Sequence, residues 1–244
     1  MTTLRRLRSG TGYTPDVAPS GTPSRGWFIT IEGPEGAGKT TQAAALARHL
    51  EERGLDIHIT REPGGTWLGE RLREVLLART DSVAAIDPLT DALLFNAARR
   101  QLVSEVVRPA LAVGSTILCA RFADSTLAYQ GFGAGVQLDL LRTLERTATD
   151  GLVPDLTILL DLPVEAGLAR KAPGDITRFE AEFDLAFHRR VRDGFLALAM
   201  AEPDRFAILD ATQPAAAVAR AAAAAADRLI GSSEPQPALL RTPS

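Results

Sequence analysis

Gly33-Pro34-Glu35-Gly36-Ala37-Gly38-Lys39-Thr40 matches the pattern Gly-x-x-x-x-Gly-Lys-Ser/Thr, in which small residues let successive backbone N–H groups turn inward on an anion. The apolar run at residues 27–32 before it reads as a strand. Residues 41–53 after it place apolar side chains at helical spacing and stop before Gly54. Strand, glycine-rich turn and helix N-terminus in that order make a phosphate cradle. The helix dipole adds positive potential, Lys39 can reach the β- and γ-phosphates, and the Thr40 hydroxyl can ligate Mg²⁺. The candidate ATP-binding run is therefore Gly33, Pro34, Glu35, Gly36, Ala37, Gly38, Lys39 and Thr40 with the adjoining Thr41; Thr40 is the candidate metal ligand.

Outward from this turn, short apolar runs at residues 55–60, 115–120, 156–162 and 206–210 are rich in Ile, Leu, Val or Thr and read as four further strands. Amphipathic helical stretches alternate with them, and the alanine-rich segment 214–230 reads as a closing helix with Gly231 as its stop. Alternation of this kind predicts an α/β fold: three layers, with a five-stranded, mostly parallel sheet flanked by helices.

A chain of 244 residues, 45% hydrophobic and 23% charged, can bury one substantial core, so one main domain is expected, over residues 26–230. Residues 1–25 carry Arg5, Arg6 and Arg8 followed by Gly, Pro, Ser and Thr. They read as a disordered tail, with a targeting or partner-binding segment as the alternative. Residues 231–244 read as a second disordered tail. The net charge of −3 argues against a broad basic surface for a nucleic acid polymer. No apolar stretch is long enough to span a membrane. Cys119 is the only cysteine, which excludes an internal disulfide, suits a core position and points to the cytoplasm. His49, His58 and His188 are scattered, so they form no metal-ligand spacing with Cys119.

The phosphate cradle alone leaves GTPases, helicases, transport ATPases and small-molecule kinases open. Four further blocks narrow the choice: Arg61-Glu62-Pro63-Gly64-Gly65-Thr66, residues 93–99 ending in Arg99, residues 121–131 from Arg121 to Gly131, and Pro154-Asp155-Leu156. In order and spacing these resemble bacterial thymidylate kinases, P-loop kinases of nucleoside monophosphates, over roughly residues 27–230. The resemblance implies ATP as donor, Mg²⁺ as cofactor, dTMP as acceptor and a homodimer. It also implies an acceptor site of Glu35, Arg61, Glu62, Pro63, Phe95, Arg99, Arg121, Ser125, Thr126, Tyr129 and Gln130.

Residue chemistry suits those roles. Phe95 offers a stacking face for a base, with a plain core position as its alternative. Arg61 and Arg99 have the planar fork that grips phosphate oxygens. Ser125, Thr126, Tyr129 and Gln130 can read a pyrimidine edge and a sugar, although Asp124 or Ser125 could instead cap a helix. A short lid at about residues 170–180 contains Arg170, Lys171 and Arg178. By resemblance Arg121, Arg170 and Arg178 join Lys39 as candidates to neutralise charge on the transferred phosphoryl group.

Two departures from the family pattern stand out. Ala120-Arg121 occupies the place of an Asp-Arg pair, and Ala172-Pro173-Gly174 lies where basic lid residues are common. Three readings stay open at this stage: an active thymidylate kinase, a kinase of another pyrimidine nucleotide or nucleoside, and a nucleotide-binding relative with weakened catalysis.

Overall fold

Five runs of aliphatic and β-branched residues form β1 (Phe28–Glu32), β2 (Ile57–Arg61), β3 (Thr116–Ala120), β4 (Leu156–Asp161) and β5 (Phe206–Asp210). The computed structural model describes residues 25–78, 86–172 and 177–232. The strands lie in the order β2-β3-β1-β4-β5, and every pairing is parallel. β1 is central, with Ile29 opposite both Leu118 and Leu156. The chain therefore builds the sheet on either side of β1, and the loop that follows β1 opens at the C-terminal edge, where such sheets place ligands.

Parallel strands buried on both faces need helices on both sides. On one side α1 (Lys39–Glu52) and α10 (Ala215–Ser232) cover Ile29, Ile31, Leu118, Ile158 and Leu160. The alanines of α10 serve this packing, since Ala222 and Ala226 are fully buried there and a methyl side chain lets the helix approach closely. On the other side lie α2 (Trp67–Leu77), α3 (Pro88–Leu102), α4 (Arg108–Ala112), α5 (Ala123–Thr126), α6 (Leu138–Thr149) and α9 (Leu185–Ala201). There Phe28, Ile117 and Cys119 pack against Leu102, Val107 and Phe122, and Cys119 is core as expected. A short helix, α7 (Val164–Ala169), leads into the expected lid, and a second, α8 (Arg178–Glu182), begins within it. Among the described residues no helix is long and apolar enough to cross a membrane.

Element boundaries differ from the sequence reading by one or two residues, the usual play at element ends. α1 starts at Lys39, so Thr40 and Thr41 both sit in its first turn; α10 runs through Gly231 to Ser232. Neither Asp124 nor Ser125 caps a helix: Asp124 instead pairs with Arg205 at 2.7 Å. After α5 the chain continues as a π-helical stretch, Leu127–Gly133, a wider coil that is frequent at functional sites. At the start of the described chain Arg25 grips Asp155 through both guanidinium nitrogens, at 2.8 and 2.7 Å. Residues 1–24 and 233–244 of the expected tails, and residues 173–176 of the lid, lie outside the described residues.

Candidate functional site

The loop after β1 is shaped by glycines that no larger residue could replace. Gly33 and Gly36 adopt φ values of 141° and 69°. A Cβ on Gly36 would lie 1.9 Å from the Gly167 carbonyl oxygen, and one on Gly33 would lie 2.5 Å from that of Leu160. Lys39 folds over the loop and donates to the carbonyls of Gly33 (3.0 Å) and Pro34 (2.7 Å). Burial, then the nearby Arg121, pushes its pKa down to about 7.

Glu35 projects from this loop into a cleft and collects partners from three elements. Arg121 Nη2 donates to its Oε1 at 2.7 Å, and the Tyr129 hydroxyl donates to the same oxygen at 2.8 Å. Lys171 Nζ stands 3.7 Å from Oε2. Burial alone would raise the Glu35 pKa, but Arg121, Lys39, Lys171 and the Tyr129 hydroxyl hold the carboxyl well below the usual range. A negative charge is thus fixed where Arg121, Lys39 and Lys171 converge beside the loop.

Arg121 follows β3 in the left-handed region, with φ 66°. Its Nη1 donates to Gly33 O and Ser125 Oγ, both at 3.1 Å, and its guanidinium carbon lies 5.0 Å from the centre of the Tyr129 ring. The turn is clamped by Glu32, which is fully buried at the end of β1. This carboxylate accepts from Phe122 N and Ser125 Oγ, each at 2.6 Å. Burial, then Asp124, raises the Glu32 pKa to about 7.

The cleft is lined by Glu35, Glu62, Pro63, Phe95, Arg99, Arg121, Ser125, Thr126, Tyr129 and Gln130, so nearly all of the expected acceptor set converges. Arg99 forms its floor and is only 1% exposed. It donates to Glu62 Oε2 (2.8 Å), Asn96 Oδ1 (3.2 Å), Phe122 O (3.1 Å) and Thr126 Oγ1 (3.0 Å), so it organises the cleft rather than standing free for a phosphate. Burial outweighs Arg99 at Glu62 and raises that carboxyl to about 7. Gln130 donates to Asp91 at 2.8 Å, and Phe95 leans toward Phe179 with ring centres 6.3 Å apart.

Two arginines, Arg61 and Arg178, lie outside the cleft lining, while Arg170 stays beside the phosphate loop. Arg61 is not among the lining residues; it pairs with Glu70 at 3.0 Å on the surface. Arg178 is buried and engaged by Asp91 and the Leu76 carbonyl, so it closes the core beside α3 and does not face the phosphate loop. Arg170 donates to Ala211 O at 3.0 Å and lines a second cavity with Ala37, Gly38, Thr41 and Gln42, on the α1 side of the loop. Two cations outside the expected site set do line the cleft: Arg73, which donates to Pro63 O at 2.9 Å, and Lys171, which the sequence placed in the lid without a role at the site. For Arg73 the available signal was its place on α2, three residues after Glu70 and so on a neighbouring part of the helix surface.

A glycine-rich loop between β1 and α1, in an all-parallel sheet of this order and with a basic cleft beside it, defines a P-loop kinase of small molecules. Known proteins agree. The thymidylate kinase family model matches residues 31–222. The thymidylate kinase of Deinococcus radiodurans is 57% identical over 192 residues, covering 78% of this chain and 91% of that protein. That of Thermomicrobium roseum is 56% identical over 197 residues, covering 80% and 91%. The crystal structure of thymidylate kinase from Ehrlichia chaffeensis superposes with a TM-score of 0.62 at 34% identity, covering 76% of this chain and 93% of that one. The chain belongs to the thymidylate kinase family.

Proposed function

We propose that the protein transfers the γ-phosphoryl group of ATP to dTMP, forming dTDP and ADP on the way to dTTP. The observation that carries this reading is one cleft, directly beside the phosphate loop, lined by Arg73, Arg121 and Lys171 together with Phe95 and Gln130. Cations of that kind suit the acceptor's phosphate, and an aromatic face with an amide suits its base. The loop amides and Lys39 hold the donor's phosphates, with the cavity near Arg170 and Gln213 available to the rest of ATP. The reading extends to a cytoplasmic homodimer. Leu89 and Leu93 on α3 and Leu140 on α6 are exposed, and they offer apolar surface to a second copy.

The assay for this reading is direct: ATP, Mg²⁺ and dTMP yield dTDP, in preference to the products of dCMP, dUMP or UMP. In the same assay Phe95→Ala raises KM for dTMP by about 10-fold, as expected for the loss of one stacked base, and leaves KM for ATP within about twofold. Nucleotide binding without any dTDP would leave a nucleotide-binding protein and sink the kinase reading.

Mg²⁺ fits the residues present only as a companion of the nucleotide. The exposed Thr40 side chain supplies an oxygen donor. Among the described residues no cluster of His, Cys, Asp or Glu could hold a metal by itself, and Mg²⁺ is commonly held by few protein oxygens plus substrate phosphates. Bound there, it would neutralise charge on the β- and γ-phosphates.

Ala120 makes this metal support thin. It pairs in register with Ile31, and Ile31 and Leu118 both face the α1 side of the sheet, so the Ala120 methyl faces that side too. Glu32, one residue beyond Ile31, points to the opposite face, while Glu35 and Glu62 are engaged by Arg121 and Arg99. None of the three replaces a carboxylate at position 120. Ala120→Asp is therefore expected to raise kcat by about 10-fold, or about 1.4 kcal/mol of barrier, with a smaller change in dTMP affinity. Steady-state kinetics of both proteins at matched Mg²⁺ decides it; a flat or lower kcat in a folded variant would refute it.

A further inference from the structure

Asp91 lies in the first turn of α3, about one helical turn before Phe95, and is buried behind the wall of the acceptor cleft rather than among its lining residues. Its two oxygens are committed to different elements. Oδ1 is engaged by Nη2 of Arg178 at the start of α8, and the same guanidinium donates through Nε to the Leu76 carbonyl near the end of α2. Oδ2 accepts from Gln130 Nε2 at 2.8 Å. Gln130 belongs to the π-helical stretch, lines the cleft and is only 3% exposed.

The two ends of a glutamine amide are not equivalent: the oxygen only accepts and the NH₂ only donates. The Asp91 carboxylate, ion-paired with Arg178, only accepts. With the amide reversed, its oxygen would stand against Oδ2 in place of the donor, and a buried pair of opposed acceptors costs more than a bond never made. Asp91 therefore fixes which way round the amide stands, and Arg178, anchored on Leu76 O, keeps Asp91 from turning away. Among the described residues Gln130 Oε1 meets no hydrogen-bond donor, and it is not sealed from solvent. An acceptor is thus left open on the cleft that Phe95 also lines.

We propose that Asp91 is a positioning residue for base selection: by holding the Gln130 amide with its oxygen toward the cleft, it makes the site prefer a pyrimidine that carries N–H at ring position 3 over cytosine. This rests on the kinase reading above and, within it, on Gln130 meeting the edge of the base. Unstacked bases are commonly read on that edge. Thymine and uracil offer N3–H to Gln130 Oε1. Cytosine offers the lone pair of N3, so dCMP forfeits a bond and leaves a desolvated oxygen facing another acceptor. The methyl group that separates thymine from uracil sits at ring position 5, outside this contact, so Asp91 has no part in telling dTMP from dUMP. Asp91 touches no substrate itself and supplies no charge to the transfer.

Asp91→Asn puts an amide against Gln130 that can offer either an oxygen or an NH₂, so the Gln130 amide is free to turn and serve either base. The ratio of kcat/KM for dTMP to that for dCMP falls about 10-fold, the scale of one hydrogen bond. The dTMP to dUMP ratio and KM for ATP each stay within about twofold of the parent. Asp91→Glu keeps a carboxylate and holds the preference over dCMP to within about threefold. Because Asp91→Asn alone strands a buried guanidinium, the pair is also removed together in Asp91→Asn/Arg178→Met, since exchanging both members of a buried ion pair is tolerated better than breaking it; the same loss of preference is expected. A purely structural role would lower kcat/KM for dTMP, dUMP and dCMP alike, and that result overturns the proposal. So does a dTMP to dCMP ratio within about threefold of the parent in whichever of the two Asn variants folds, or an equal loss of preference in Asp91→Glu. If the parent forms no dTDP, the kinase reading falls and this assignment with it; an active parent whose folded variants keep the ratio defeats this assignment alone.

Discussion

Lys39→Ala is expected to lower kcat on the order of 10³-fold, the upper range for removing one preorganised charge from a water-poor site. The ammonium already lies over the loop, bonded to two of its carbonyls, so it needs little reorganisation to meet a phosphate chain. A pKa near 7 gives the same residue a second signature. In the free protein Lys39 is mostly protonated at pH 6 and mostly neutral at pH 8. Bound polyphosphate favours the charged form and raises the pKa, so ATP binding takes up nearly one proton at pH 8 and far less at pH 6. Calorimetry in buffers of different ionisation enthalpy measures that uptake, and in Lys39→Ala it disappears. Near-parental turnover in this variant would remove the phosphate loop from the mechanism.

The fold was legible because its signals are local. A run such as Phe28 to Glu32, a glycine turn and a periodic helix carry their meaning within a few residues, and the mostly parallel pairing of the strands follows once the alternation of strand and helix is recognised; their order and register do not. The acceptor cleft was legible in its membership for another reason: residues 121–131 and Phe95 lie in blocks whose order resembles a known family. What each side chain does was less accessible, because charged groups act through partners far away in sequence. Arg178 is bound by Asp91, 87 positions earlier, and nothing in the lid's composition distinguishes it from a phosphate ligand. Arg61 is drawn to the surface by Glu70. Arg99 has the fork of a phosphate clamp, yet Glu62, Asn96 and Thr126 occupy it. Arg73 was missed, and Lys171 was placed in the lid without a role at the site, on the same account: a lone cation on a helix or beside a turn looks solvated until the opposite wall of the cleft is seen.

Arg121 shows how much of the site rests on one guanidinium, and replacing it is expected to be nearly as damaging as removing Lys39. A non-glycine residue at φ 66° costs about 1–2 kcal/mol relative to an ordinary conformation, and such strain persists where the surroundings over-determine it. Here they do. Arg121 N donates to Ile31 O at 3.0 Å, Glu62 N donates to Ala120 O at 3.0 Å, and Glu32 holds the next amide. That turn aims the side chain between the phosphate loop and Tyr129, with both terminal nitrogens engaged. If Arg121 served the fold alone, glycine would suit the position better, since its backbone accepts the left-handed region freely. Arg121→Gly therefore separates the two roles. It relieves the backbone, removes the guanidinium, and is expected to lower kcat by about 10²–10³-fold in a protein whose circular dichroism matches the parent. Arg121→Lys is expected to recover less than about a tenth of the parental rate, because a single ammonium cannot reproduce the fork that reaches Gly33, Ser125, Glu35 and Tyr129 together. Rates within about threefold of the parent in either folded variant would show that the charge needed for transfer comes from elsewhere in the cleft.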